Sequence, residues 1–529
     1  MALAAAALAC VSATAGLWPS DPGVNIAVAD RNQAQSMVKI AASEDGACFI
    51  GWFDRASTNS NAWVKRVDAW GELGLGEFGS RVSTFLSQAT LVDWGMVGDG
   101  EGGFVAVFSG PNGQGRDIWA HRVSGAGEHV WGSQGVRLTT NWNFEIEPRI
   151  ARTSDGEFVI VWARLPGNPG PFTLPAGIAM QRLNLGGQKV WGPDAVDVSV
   201  VAGESPASCE IAASDRGSVV IGWVRDTSGQ VGLGRVRVQK IDAGGAPVWN
   251  GGSAVELSDV SVSGGFRPSV VSDGADGAVV AWEDHEGGMF DVRAQRLDGA
   301  GAVLFGAGGA RVAVSAGREA RMPSVSFDGA SERTLVVLRM RDVGGGNETL
   351  VAQSLSASGA RLLGDGGVEL LARSGDTFEG ARIAAAGGGA MLAFARASGA
   401  TGDSSVHAMR VGPGGEIAWG PTRVSPETGA RQGVVTSLAA NGVMRVAWEG
   451  DTRADGAGDV YAQNVNPNGT LGACPGDADY NGVVNFADLN RVLGAFGASG
   501  TFLSGDVDGD GVVGFADLNL ALSNFGGSC

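Results

Sequence analysis

The chain has 529 residues, a formal net charge of −18 and 87 glycines. This length exceeds that of one ordinary hydrophobic core, so repeats or several domains are expected. The acidic balance, 38 basic against 56 acidic residues without a basic cluster, argues against nucleic acid and anionic membranes as partners.

The N-terminal residues 1–15 are small and apolar and end in Ala13-Thr14-Ala15, the pattern of a signal-peptide cleavage site. They predict a bacterial protein that is secreted or held at the cell surface. The stretch is too short to span a membrane, and no later segment approaches a transmembrane helix. It lacks a basic start, which leaves a lipid anchor on Cys10 as an alternative.

Residues 16–472 carry one pattern eight times. Each copy holds three short alternating runs separated by Gly- and Asp-rich turns, which is typical of strands in an antiparallel meander. The first run closes on a large hydrophobic residue that we expect to fill the space between neighbouring sheets. This residue recurs at Trp52, Phe108, Trp162, Trp223, Trp282, Leu338, Phe394 and Trp448. Such a period marks a repeat architecture.

The N-terminus carries the strand that the eighth copy lacks. LWPSDPGVNIAV from Leu17 matches the third-run text VWGPDAVDVSV from Val190, and a strand supplied by the opposite terminus would remove an exposed edge. The sequence therefore predicts an all-β, eight-bladed β-propeller closed by an N-terminal strand, with the strand before each first run innermost. The text D-[IV]-x-A-Q-R-x-D resembles blade repeats of secreted bacterial proteins, a resemblance that implies fold and export but no activity.

Residues 473–529 have a different pattern, in which a twelve-residue acidic loop and a predicted helix occur twice. Calcium takes six to eight oxygen ligands, and such a loop offers them at positions 1, 3, 5, 7, 9 and 12. The spacing predicts two bound Ca²⁺ ions. Their ligands would be Asp477, Asp479, Asn481, the Val483 carbonyl, Asn485 and Asp488 in the first loop, and Asp506, Asp508, Asp510, the Val512 carbonyl, a water at Gly514 and Asp517 in the second.

This small α-helical, calcium-binding domain resembles a type I dockerin, with two loop–helix repeats and Asp at loop position 12. The resemblance implies calcium-dependent folding and docking to a cohesin-like surface protein. The partner-binding positions 10 and 11 hold Phe486-Ala487 and Phe515-Ala516 where dockerins commonly carry hydroxyl residues. Another surface protein or self-association is therefore an alternative, and so is a core position for both phenylalanines.

The five cysteines give two further expectations. Cys474 and Cys529 bracket the C-terminal domain, which predicts a disulfide and an oxidising compartment. Cys48 and Cys209 lie in copies that are not neighbours, so we expect both to be buried free thiols.

Signals of catalysis are poor, because G-x-S-x-G, H-E-x-x-H and P-loop motifs are all missing from the sequence. The only catalytic candidates are the carboxylate pairs Glu283-Asp284 and Glu449-Asp451, each just after a first-run Trp. Glycoside cleavage needs two carboxyls a few ångströms apart, which chain spacing does not establish. We therefore assign no catalytic residue and expect a binding and interaction protein. The alternative is a hydrolase or lyase that acts on an extracellular polysaccharide.

Overall fold

The computed structural model describes residues 17–528 except 57–58, 84–92, 112–114, 142, 168–172, 174, 200–203, 227–233, 263–265, 387–388, 452–457, 501–502 and 504. The predicted leader, Cys10 and Cys529 lie outside the described residues. Most of the described chain is β-structure, with helices only near the C-terminus and in two short 3-10 turns, Asp215–Gly217 and Trp249–Gly252.

The strands of the first four copies follow the predicted alternating runs. They are β1 (Ile26–Ala29), β2 (Gln35–Ala42), β3 (Cys48–Ala56), β4 (Asn59–Val67), β5 (Leu73–Gly74), β6 (Ser80–Arg81), β7 (Gly95–Gly98), β8 (Phe104–Pro111), β9 (Arg116–Val123), β10 (Val136–Arg137), β11 (Phe144–Arg152), β12 (Phe158–Leu165), β13 (Gly177–Leu183), β14 (Val196–Ser199), β15 (Ser205–Ala213), β16 (Val219–Asp226), β17 (Gly234–Ile241) and β18 (Val255–Glu256).

The remaining copies and the C-terminal domain continue the series. Their elements are β19 (Ser269–Ser272), β20 (Ala278–Glu286), β21 (Met289–Leu297), β22 (Ala310–Arg311), β23 (Arg318–Asp328), β24 (Arg333–Asp342), β25 (Glu348–Leu355), β26 (Val368–Glu369), β27 (Thr377–Ala386), β28 (Gly389–Ala397), β29 (Ser404–Val411), β30 (Ile417–Arg423), β31 (Ala430–Leu438), β32 (Met444–Asp451), β33 (Asp459–Val465), α1 (Phe486–Ala495) and α2 (Phe515–Ser523).

Sequence neighbours pair antiparallel into small sheets, which confirms the predicted meanders. Four consecutive strands form each of β15–β18, β19–β22, β23–β26 and β27–β30, while β2–β5 also carries β6. An eight-stranded sheet contains the units β7–β10 and β11–β14, which are joined through one parallel pairing of Phe144 with Arg116. The repeat in the sequence is therefore a repeat of supersecondary structure.

The first strands of the sheets are neighbours in space. Each first strand contacts the first strand of the next sheet, in the order β2, β7, β11, β15, β19, β23, β27 and β31. The last of these strands, β31, also contacts β2. Because consecutive strands are antiparallel, the second-to-third-strand hairpins turn at the end of each sheet where the first strand begins. We call this end the hairpin face. The opposite end, with the turns between first and second strands, is the turn face.

The N-terminal strand completes the last sheet, whose order is β1-β33-β32-β31. Ile26 lies opposite Ala462, and β1 occupies the outer position. Trp18 precedes this strand and is buried, and its indole nitrogen donates a hydrogen bond to the Ala69 carbonyl at 3.1 Å. The match between the N-terminal text and the third-run text thus predicted the correct pairing.

The predicted third runs centre on large apolar residues, namely Leu75, Trp131, Trp191, Trp249, Phe305, Leu363 and Trp419. Most of these residues lie on turns that precede a two-residue outer strand, so the prediction of strands at these positions is wrong for most copies. Their rings connect neighbouring sheets instead. Trp131 donates to the Leu185 carbonyl at 3.1 Å and Trp191 to the Ala243 carbonyl at 2.9 Å. Gly187, at φ 80°, brings backbone against the Trp131 ring where a side chain would collide. A short outer strand leaves these rings available for packing between sheets.

The first-run aromatics and the two thiols agree with the expectations. Trp52, Trp162, Trp223 and the other first-run residues are fully or almost fully buried between sheets. Cys48 and Cys209 are buried free thiols. Among the described residues, no helix has both the length and the apolar character needed to cross a bilayer.

The C-terminal domain has a small core in which α1 and α2 each bury one apolar residue, Val492 and Ala521. Leu493 and Leu522, which follow these buried residues in the two helices, are more than half exposed. Two helices of ten and nine residues have room to cover only their central turn.

Candidate functional site

The carboxylates of Glu283 and Asp284 do not converge on one site. Successive strand residues point to opposite faces of a sheet, and both are buried on β20. Glu283 accepts hydrogen bonds from the Met322 backbone N–H at 2.6 Å and from the Arg321 Nε at 3.4 Å. Asp284 forms an ion pair with Arg293. This pair is therefore structural, and burial raises the pKa of Glu283.

Glu449 of the last sheet likewise accepts hydrogen bonds from backbone N–H groups of a neighbouring sheet. Its carboxylate accepts hydrogen bonds from the backbone N–H groups of Met37 at 2.6 Å and Val38 at 3.3 Å, both on β2. Met37 and Met322 have positive φ and lie at β-bulges of first strands. A bulge turns N–H groups out of the ladder, and the glutamate of the preceding sheet receives them.

Charged side chains from five first-strand segments meet where these segments approach one another. We call them the axial cluster. Lys39 Nζ lies 2.8 Å from Asp93 Oδ1, Arg149 pairs with the second oxygen of Asp93, and Arg267 reaches Asp93 at 3.6 Å. The cluster is completed by Glu147 and Glu210, which lie 3.1 Å and 3.9 Å from Arg267.

The axial cluster is electrically balanced, with three cations and three anions. Burial alone would raise the pKa of Asp93, but Lys39 and Arg149 hold that pKa well below its ordinary value. Burial would lower the pKa of Arg149, whereas Asp93 and Glu210 raise it. Asp93 and Arg149 are therefore charged at neutral pH, so neither is a good proton donor or acceptor there.

A second group lies at the rim of the hairpin face, next to the axial cluster. This rim cluster consists of Phe266, His285, Phe290 and Arg321. The Arg321 guanidinium lies 3.8 Å from the Phe290 ring centre and 4.8 Å from that of Phe266. The His285 ring centre is 4.8 Å from that of Phe290. One aromatic ring thus contacts both a cation and an imidazole.

The rim cluster lies beside exposed apolar groups. Met289 and Met322 present 37% and 43% of their surface to solvent, and Phe266 and Phe290 meet edge to face with ring centres 6.2 Å apart. Exposed apolar surface beside a fixed cation and an imidazole provides the elements of a binding site for a ring-shaped anionic ligand.

The C-terminal loops bring the predicted metal ligands together. One oxygen from each of Asp477, Asp479 and Asp488 lies within 4.8 Å of the others, as do oxygens of Asp506, Asp508 and Asp510. Asp488 and Asp517 also accept hydrogen bonds from their own loop's backbone, at 2.9 Å from Ala478 and 2.8 Å from Val507. These hard oxygen donors fit calcium chemistry.

The electrostatics of both loops also fit the binding of a cation. Burial is the main cause that raises the pKa of Asp477 to about 6, and that of Asp508 to about 7. Neighbouring carboxylates, Asp488 and Asp517 among them, raise these values further. A bound cation would reverse the repulsion that produces these shifts. Asn481 and Asn485 lie in the first loop as predicted, and Asn485 also caps α1.

The predicted partner-binding residues are on the surface. Phe486 and Phe515 are 71% and 72% exposed, so the alternative of core positions is wrong. Each meets another aromatic ring edge to face, Phe486 with Phe525 at 4.9 Å and Phe515 with Phe496 at 5.1 Å. Ala487 and Ala516 follow them at the first turns of α1 and α2. The pseudo-two-fold repeat of the sequence is thus visible in the structure.

Sequence reasoning missed the axial and rim clusters, because each of them combines residues from more than one repeat. A signal for the axial cluster was present in the text. The first strands KIAAS and EIAAS are alike except for an opposite charge at their first position, Lys39 and Glu210. The rim residues occur at no common repeat position, so only the folded structure brings them together.

No protein-family model and no curated protein matches the chain. Solved structures resemble it in fold. An ulvan lyase bound to a -[GlcA(1-4)Rha3S]- oligosaccharide has 12% identity and a TM-score of 0.45, over 75% of this chain and 96% of the lyase. The polysaccharide lyase Uly1 has 10% identity and a TM-score of 0.39, over 87% and 94%. An α-L-arabinofuranosidase from Fusarium graminearum has 11% identity and a TM-score of 0.34, over 61% and 93%.

These comparisons contradict our main functional expectation. The three structures are polysaccharide lyases and a glycoside hydrolase, so the expectation of a non-catalytic binding and interaction protein is wrong, and the alternative agrees better with them. They give no support to a cohesin partner. At 10–12% identity the likeness concerns the fold alone, so any site has to be argued from this chain's own residues.

Proposed function

We propose that the protein is an extracellular polysaccharide-active enzyme and that its substrate binds at the rim cluster. The single observation that carries this proposal is the Phe290 ring, which contacts both the Arg321 guanidinium and the His285 imidazole. Phenylalanine faces stack on the apolar faces of sugar rings, and a guanidinium binds carboxylate or sulfate groups in a fixed geometry.

This arrangement favours lyase chemistry over hydrolysis. Hydrolysis of a glycoside usually needs one carboxylic acid and one free carboxylate, whereas Glu283, Asp93, Glu147 and Glu210 are all engaged with arginines. An eliminating enzyme needs a cation for the uronate carboxylate and a base for the neighbouring proton. Arg321 and His285 offer these two groups.

In the proposed reaction Arg321 binds the uronate carboxylate and so stabilises negative charge on the adjacent carbon. His285 removes the proton from that carbon, and its electron pair forms a carbon–carbon double bond. The glycosidic carbon–oxygen bond at the next carbon breaks, and the leaving oxygen takes up a proton. One bond is cleaved without water, and the products are a new reducing end and an unsaturated uronate.

The test incubates the full-length protein with uronate-containing and neutral polysaccharides. We expect ultraviolet-absorbing unsaturated products from the uronate chains only. His285→Gln should lower kcat by about 100-fold or more, the usual contribution of a general base. Arg321→Met should reduce kcat/KM on charged chains while it keeps the packing against Phe290.

His129→Gln is the matched control, because His129 lies on the turn face. It should leave turnover unchanged. Reducing ends formed without unsaturated product would overturn the lyase assignment. Turnover that survives His285→Gln and Arg321→Met would place the site elsewhere.

We further infer that the repeats close into an eight-bladed propeller. Three contacts at the junction of the last and first sheets are of the kinds found between other neighbouring sheets. First strands β31 and β2 touch, Glu449 accepts a hydrogen bond from the backbone at the β2 bulge, and Trp18 donates one to a turn of the first sheet. A chain that begins at Asp30 would lose Trp18 and β1 and expose an edge strand. We expect it to aggregate or unfold well below the full chain. Equal melting of the two would exclude closure by the N-terminus.

For the C-terminal domain we propose that each acidic loop binds one Ca²⁺ ion. The two clusters of three aspartates support this proposal. The exposed Phe486 and Phe515 are available to a surface protein, and the near-identical loops allow two equivalent orientations. The Cys474–Cys529 disulfide stays a prediction that peptide mapping without reductant can test. So does export by the leader, which N-terminal sequencing of the secreted protein can test.

A further inference from the structure

The C-terminal domain contacts the junction between the last and first sheets. Its second calcium loop meets the turn between β2 and β3, where a methyl group on Gly46 would lie 2.2 Å from the Asp508 carbonyl oxygen. The same loop meets the turn between β31 and β32. There, methyl groups on Gly509 and Gly511 would lie 3.1 Å from the Asn441 side-chain nitrogen and 3.5 Å from the Ala440 Cβ.

The first calcium loop adds a contact at the same end of the propeller. The Asn468 side-chain amide donates a hydrogen bond to the Tyr480 carbonyl, which belongs to loop position 4. A cavity of about 30 Å³ separates the two parts, and Asp477, Tyr480 and Asp508 line it from the C-terminal domain. The loops that hold the proposed metal ligands are thus also the surface that touches the sheets.

Arg445 of the last sheet lies beneath this interface and lines the same cavity. It is 3% exposed and donates to the carbonyls of Gly46 at 3.2 Å and Ala69 at 3.3 Å, both in the first sheet. Its guanidinium also lies 5.5 Å from the Trp18 ring. First sheet, last sheet, N-terminal segment and calcium loops therefore meet at one point.

We propose that the C-terminal domain is a calcium-dependent clasp that stabilises the junction of the first and last sheets. The physical reason is linkage: calcium stabilises the folded loops, and only folded loops present the surface that seats against the sheets, so calcium stabilises the seated state. Without metal, the clustered aspartates repel one another and the loop surface against Gly46 and Ala440 loses its shape. The inference rests on the calcium binding proposed above.

The sequence offers a clean reporter for this coupling. All 15 tryptophans precede residue 473, so tryptophan fluorescence follows the sheets and not the C-terminal domain. We expect calcium to raise the tryptophan-detected melting midpoint of the full chain by about 1–2 °C, because in a chain of this size a gain of ~1 kcal/mol shifts the midpoint by only about 1 °C. Calcium binding itself is measured separately by titration calorimetry.

Ala440→Arg places a bulky side chain in the interface and leaves the calcium ligands intact. We expect this variant to bind calcium with the wild-type stoichiometry and to lose the calcium-induced shift of the midpoint. Ala275→Arg is the matched control, because Ala275 is exposed in the corresponding turn between β19 and β20. It should keep the full shift.

The outcomes separate the two proposals. Calcium binding without a shift in the wild-type midpoint, or a full shift in Ala440→Arg, would overturn the clasp alone. Failure of the wild type to bind calcium would overturn the proposed metal sites and the calcium-dependent clasp with them.

Discussion

The sheets and the C-terminal domain use the same acidic residue in opposite ways. In the sheets, buried aspartates face arginines, as Asp284 faces Arg293 and Asp99 faces Arg122. In the C-terminal domain, Asp477, Asp479 and Asp488 face one another. A paired carboxylate stabilises the fold by itself, whereas a carboxylate cluster needs a cation from solution. The comparison supports the proposal that only the C-terminal domain depends on metal.

The hydrophobic cores of the two regions also differ, since the core of the sheets is much larger than that of the C-terminal domain. The sheets bury long runs of Val, Ile, Leu and Trp in clusters that cross from each sheet to the next. The C-terminal core consists of five small or mid-sized buried residues, Ala478, Val492, Val507, Val513 and Ala521. A core of this size contributes too little apolar burial to offset the entropy of folding. We therefore expect metal binding to supply the difference.

The largest expected effect is selective unfolding by a chelator. Removal of calcium from the full chain should abolish the hydrogen-exchange protection of α1 and α2, because the repelling aspartates then outweigh the small core. The strands β8, β16 and β20 should remain protected, since their residues are almost all buried in the sheets. Unchanged protection of both helices in chelator would contradict the proposed metal dependence of the C-terminal domain.

The next effect concerns a buried pair in the sheets. Arg293→Met leaves the fully buried side chain of Asp284 without its guanidinium, which should lower the free energy of unfolding by about 3–5 kcal/mol. Arg373→Met is the control, because its pair with Glu369 is exposed and its loss should change the free energy of unfolding very little. Denaturant unfolding measures both. Equal losses would show that burial does not set the value of these pairs.

A smaller effect is the pH dependence of the metal-free C-terminal domain. Folding raises the pKa of Asp477 to about 6 and of Asp508 to about 7, above the ordinary value near 3.8. Their contribution to stability is therefore present at low pH and is lost as pH rises through about 6–7. In chelator, the helical circular dichroism signal should grow from pH 8 to about pH 5.

Asp508→Asn should weaken this pH dependence, because it removes one of the aspartates whose pKa is raised. Saturating calcium should reverse its direction, since protons then compete with the metal for the same oxygens. A chelated domain that gains helix as pH rises would contradict the assignment of these carboxylates.

The smallest effect concerns the aromatic hydrogen bonds between sheets. Trp131→Phe keeps most of the ring and removes the bond from its indole nitrogen to the Leu185 carbonyl. We expect a loss of about 1 kcal/mol in unfolding free energy, measured by denaturant. A loss far above this value would mean that the indole's packing on Gly187, rather than the hydrogen bond, links the two sheets.

The sequence by itself determined the repeated sheets, the pairing of the N-terminal strand and the two acidic loops. These features depend on local rules: alternation of apolar residues for strands, glycine at turns, and fixed ligand spacing along a twelve-residue loop. The match of LWPSDPGVNIAV to the third-run text predicted the partner of β1 without any coordinates. Chain periodicity also correctly predicted the burial of Trp52 and Trp282.

Only the tertiary structure decided which charged groups pair with one another inside the sheets and which belong to the proposed substrate site at the rim cluster. Glu283 and Asp284 are adjacent in the chain, yet the pleat of β20 sends them to opposite faces, where different arginines receive them. Phe266, Phe290 and Arg321 are scattered along the sequence, yet the packing of two sheets brings them together. Separation along the chain does not fix distance in space once strands from different repeats meet, so neither outcome was readable from the residues alone.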